Sequence, residues 1–70
     1  MANTYTAVSK RDGDWWIGWI EEIPGVNCQE LSRKELLNSL KATLKEVLEL
    51  NRKEALQAAA TNFQEEPVTV

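Results

Sequence analysis

The sequence predicts an α+β domain: a small antiparallel sheet of three to four strands with one long amphipathic helix packed on one face. Three observations predict it. Two runs rich in β-branched and aromatic residues flank Arg11-Asp12-Gly13-Asp14, a Pro24-Gly25 corner follows, and from Ser32 onward leucines recur every three or four residues. Seventy residues allow one domain, 1–70, in the order β-β-β-α-β.

The first strand is expected over residues 4–10, where Thr-Tyr-Thr-Ala-Val-Ser-Lys has strand propensity and runs into a cluster of turn formers. Asp-Gly between two such runs is a hairpin signal, because Gly accepts the positive φ that tight turns require. The second strand, residues 14–22, therefore pairs antiparallel with the first. Its period of two places Trp15, Ile17 and Trp19 on one face and Trp16, Gly18 and Ile20 on the other. Both faces are apolar, as in a central strand covered on two sides. One helix covers only one of them, so the other needs a second copy, a partner or the chain's own tail. Pro24 and Gly25 end the strand, and residues 26–30 form a short third strand with Val26 and Cys28 on one side.

Ser32-Arg33-Lys34-Glu35 reads as a capping box, in which the Ser hydroxyl accepts from a backbone N–H of the first turn. The helix is expected over residues 33–60. Leu37, Leu40, Leu44, Val47 and Leu48 make its apolar stripe, with Leu36 and Leu50 beside it and Lys41, Lys45, Glu46, Glu49 and Lys53 opposite. Asn51 is a candidate break, but the helix-forming run from Glu54 to Ala60 favours continuity, with a stop at Thr61-Asn62. Residues 63–70 contain Phe63, Val68 and Val70 around Pro67 and are expected as an edge strand, in this chain or added to a second copy.

Composition excludes several classes of function. With no His and a lone Cys28, the chain has neither an intrachain disulfide nor the usual ligands of a zinc site. Cys28 reads as a small buried hydrophobe in a reducing cytoplasm. No secretory signal or apolar run of membrane-spanning length appears. Net charge is -3, and the acid excess lies in residues 1–30, through Asp12, Asp14, Glu21, Glu22 and Glu30 against Lys10 and Arg11. That argues against a nucleic-acid surface and for a basic protein partner. The same carboxylates could hold a divalent metal only by converging in space, and turn chemistry already accounts for Asp12 and Asp14. No catalytic residue, metal or cofactor is expected, and the chain is not expected to be an enzyme. The tryptophans read as core or protein interface, because stacked bases call for Lys and Arg around the rings. A domain of this size is marginal alone, so a homodimer or higher oligomer is expected.

Across residues 4–50 the chain resembles the HicB-like antitoxins of bacterial toxin-antitoxin systems. The resemblance is carried by Asp12-Gly13-Asp14-Trp15-Trp16-Ile17-Gly18-Trp19, by Glu22-Ile23-Pro24-Gly25, by Gln29, by Ser32 with Glu35, and by Leu37, Leu40 and Leu44. It departs where Val26 follows Pro-Gly, with Cys28 two residues later, and where Glu30-Leu31 follow Gln29. The resemblance implies a partial ribonuclease-H-like fold without nuclease activity. It also implies a function, the binding and occlusion of a small basic HicA-type toxin that cleaves mRNA. Many members carry a C-terminal DNA-binding domain; none is expected here. Contact with the toxin is expected at Asp12, Asp14, Trp15, Glu21 and Glu22. The alternative is a homo-oligomeric structural or adaptor module with no toxin.

Overall fold

A computed structural model describes residues 4–70 and has the order β1 (Ala7–Asp12), β2 (Trp15–Ile20), β3 (Asn27–Glu30) and α1 (Arg33–Ala59). The three strands form one antiparallel sheet in the order β1-β2-β3, so β2 is central and, among the described residues, the other two are its edges. This is the small α+β fold expected from the pattern of runs and turns.

Local chemistry sets the boundaries. Asp12 pairs with Trp15, which leaves Gly13 and Asp14 as the hairpin loop. Gly13 has φ 63° while Asp14 stays at negative φ, the sign pattern of a type II′ turn with Gly at its first central position. At the other end, Ile20 N–H donates to Val26 O at 3.1 Å, closing the Pro24-Gly25 corner and starting β3 one residue later than expected. Glu21 and Glu22 consequently belong to this corner and not to β2.

Ser32 caps α1, its Oγ accepting from Glu35 N–H at 3.2 Å. The helix runs unbroken through Asn51 for 27 residues, about 40 Å. Among the described residues the enclosed core is Ile20, Val26, Leu36 and Leu40, with Tyr5, Trp16, Ile23, Cys28, Leu44 and Val47 packed around it. The stripe is thus rotated from the expected one: Leu36 is fully buried, while Leu37 is 37% exposed and Leu50 lies open. Gly18 explains the choice. A Cβ there would lie 3.0 Å from Leu36 Cδ2 and 3.3 Å from Leu40 Cδ1, so these two leucines occupy the space that a side chain at Gly18 would fill.

The expected edge strand over residues 63–70 is not formed in this chain. After Val47 no helical residue joins the core, so the last twelve residues of α1 carry the chain about 18 Å past the sheet. There the helix ends at Ala60, whose N–H donates to Leu56 O, and the chain reverses through positive φ at Ala60 and Asn62. The tail then follows the helix: Phe63, Gln64, Glu65 and Glu66 line a groove with Arg52, Ala55, Leu56 and Ala59, and Arg52 meets Glu65 at 3.6 Å. This contact with the overhanging helix replaces the sheet edge.

Candidate functional site

Directly paired residues of an antiparallel ladder point to the same side of the sheet. The helix side is identified by Gly18 against Leu36 and Leu40, by Ser39 Oγ donating to Glu30 Oε2 at 2.6 Å, and by Cys28 Sγ 3.5 Å from Thr43 Oγ1. Trp16 packs on this side, beside the core. The other side carries three rows: Val8, Lys10 and Asp12 from β1; Trp19, Ile17 and Trp15 from β2; and Asn27 and Gln29 from β3.

Nothing within the described residues covers that second face. Trp15 is 44% exposed and Trp19 37%, with Ile17 half-buried between them. Leu31, next in the alternation after Gln29, is also exposed. Ile17, Trp19, Asn27 and Gln29 border a shallow groove floored by Gly18 and Cys28. A contiguous apolar patch with a polar rim is the usual form of a protein-docking surface, and Trp is prominent among residues that dominate such interfaces.

The structure brings together three of the five residues expected at the contact. Asp12, Asp14 and Trp15 share the hairpin end. Glu21 and Glu22 sit beyond the far end of β2, about 20 Å away at strand rise. Glu22 is already engaged: its Oε1 accepts from Thr6 N–H and its Oε2 from Thr6 Oγ1, each at 2.7 Å. With Glu21 N–H donating to Thr6 O at 2.9 Å, this latch holds the chain's start against the corner. The Thr6 hydroxyl and N–H stabilise the carboxylate form and hold the pKa of Glu22 below its ordinary value. A depressed folded-state pKa stabilises the fold above the ordinary carboxylate range and loses that contribution as pH falls through it. Glu22→Gln should therefore lower the melting temperature near neutrality, and the gap to the unsubstituted chain should close in acid. Thermal melts across that range would show it, and a gap independent of pH would contradict it.

Sequence reasoning missed Lys10, Asn27 and Gln29 on the open face, because they become its rim only once the register is known. Lys10 alters the electrostatics. It and Asp12 leave the face with no net formal charge. The acid excess lies instead at the hairpin turn, at the corner and on the helix side. Among the described residues no three His, Cys, Asp or Glu side chains are grouped to hold a metal ion, and no helix is long and apolar enough to cross a membrane.

Compared with known proteins, the chain matches no protein-family model, no curated protein and no solved structure.

Proposed function

We propose that this chain is a non-enzymatic protein-binding module of the HicB-like antitoxin kind, acting in the bacterial cytoplasm by occluding a small basic HicA-type ribonuclease. The observation that carries the reading is the uncovered stripe of Trp15, Ile17 and Trp19 on a sheet whose other face is filled by α1. The resemblance in the hairpin, corner and cap supplies the class of partner. The apolar stripe provides the desolvated centre of the contact, while Asp12 and Asp14 at the hairpin end meet basic side chains at its rim.

Co-expression with the small basic protein of the adjacent reading frame tests this. The expected outcome is a stable complex and relief of growth arrest. A toxin that remains active and unbound at equal expression would overturn it.

The alternative, a homo-oligomeric adaptor, is favoured by one observation. A face bearing both Lys10 and Asp12 does not repel its own copy.

A further inference from the structure

We infer that the outer edge of β1, with the groove that separates it from α1, is a docking site for an extended acidic segment of a partner protein, which adds to the sheet as a fourth strand beside β1.

The first argument is the unpaired edge. Glu21 N–H donates to Thr6 O, and Val8 O lies 2.7 Å from where a Cβ on Gly18 would stand, so the backbone groups of Thr6 and Val8 face β2. Backbone groups alternate in direction along a strand, which turns the N–H and C=O of Ala7, Ser9 and Arg11 outward. Among the described residues no strand lies on that side. An added strand bonds to this row, as in peptide recognition by strand addition.

The second argument is the place of the helix. α1 packs over β2 and β3 and barely reaches β1. A groove is left between them, with Tyr5 and Ala7 on one wall and Leu37, Lys41 and Leu44 on the other. Ala7 is exposed, and Leu37 keeps more than a third of its surface open. Apolar side chains on one face of an added strand enter this groove and leave water, a gain that a bare sheet edge does not offer.

The third argument is charge, and it selects the occupant. Lys34, Lys41, Lys45 and Arg52 are spaced seven, four and seven residues apart and fall in one row along α1. Lys41 brings that row to the groove, and Lys10 and Arg11 stand on the strand itself. The carboxylates at the ends of β1 are Asp12, at the hairpin, and Glu22, already held by Thr6. The row also shows its choice of ligand within the chain, where the non-helical tail lays Glu65 3.6 Å from Arg52. Cations on an edge repel a second β1 and attract a strand that bears carboxylates, so they discriminate between strands. The site leaves the side chains of Trp15, Ile17 and Trp19 free, and its test does not depend on the toxin reading.

The test uses the full chain and a short peptide alternating valine and glutamate, with amide exchange followed by NMR. In the free chain the amides of Ala7, Ser9 and Arg11 should exchange fast, and the peptide should protect them, saturating below about 1 mM. N-methylation of one alternate set of peptide amides should weaken binding about fivefold or more, the worth of a net hydrogen bond, and methylation of the other set should not. Lys41→Glu should weaken binding more than Lys53→Glu, an equal change of net charge away from the groove, and a valine-lysine peptide should not bind. The methylation arm needs no variant of the chain, so it decides even if a substitution disturbs the fold. Absence of saturable binding, equal effects of the two methylated sets, or protection confined to β2 overturns the edge site. Protection of the three edge amides before any peptide is added also overturns it, since the chain's own tail then holds the edge. Equal losses in the two lysine variants, or equal binding of the valine-lysine peptide, overturn the acidic occupant.

Discussion

Gly18→Ala should destabilise the fold by about 1–3 kcal/mol, and Gly18→Val should abolish cooperative melting near physiological temperature. The reason is local and steric. A Cβ at Gly18 would lie 2.7 Å from the carbonyl oxygen of Val8 on the neighbouring strand, as well as against Leu36 and Leu40. Leucine tips can rotate away; a ladder carbonyl moves only with its strand. The opposing gain, from a less flexible unfolded chain, is about 0.4–1 kcal/mol and does not win. A domain whose enclosed core, among the described residues, is four side chains has little stability to lose. Gly13→Ala is the control. It meets no atom within 4 Å, so its cost is confined to the positive φ of 63°, about 1 kcal/mol. Urea unfolding of the three variants checks the order. A Gly18→Ala midpoint equal to that of the unsubstituted chain would show that α1 is not seated on β2 at this point.

Gly18 also shows where the sequence was legible and where it was not. The hairpin, the Pro24-Gly25 corner, the Ser32 cap and the continuity of the helix through Asn51 depend on residues close in sequence, and each could be read from its own neighbourhood. The strand's two apolar faces could not be ranked by alternation, since Trp15-Ile17-Trp19 and Trp16-Gly18-Ile20 are both apolar. The face the helix takes is the one with the missing side chain. A glycine set in an apolar row marks close approach, and that signal was present in the sequence without a partner to assign it to. Leu36 and Leu37 are adjacent and chemically identical, so periodicity alone could not choose between them; the gap at Gly18 did. The tail was misplaced for a different reason. Its composition suits a strand, but the path of a helix that outruns its sheet is a matter of length, and Arg52 and Phe63 then hold the chain to the overhang. Glu22 looked like a free carboxylate because its partner, Thr6, is sixteen residues away.

Trp19→Ala should weaken partner binding by roughly 30-fold or more, the equivalent of about 2 kcal/mol, and should lower the melting temperature less than Trp16→Ala does. Trp15→Ala should act in the same direction. Both side chains are already more than half covered by their own neighbours, so the ring area that remains open is a modest share of each residue. Its effect on binding is nevertheless large, because that area lies on the central strand, where a partner excludes water. Asp12→Ala and Asp14→Ala should do less. They stand at the exposed hairpin end, where charge contributes mainly to the rate and salt dependence of association. Trp16→Ala should do the reverse of Trp19→Ala, lowering stability first, since its ring packs beside the core under α1. Titration calorimetry with the proposed basic ribonuclease partner at two salt concentrations, paired with thermal melts, separates these cases. If the aspartate variants lose binding while the Trp15 and Trp19 variants keep it, the contact is electrostatic and confined to the hairpin end. The open apolar face would then not be the surface through which the partner is held.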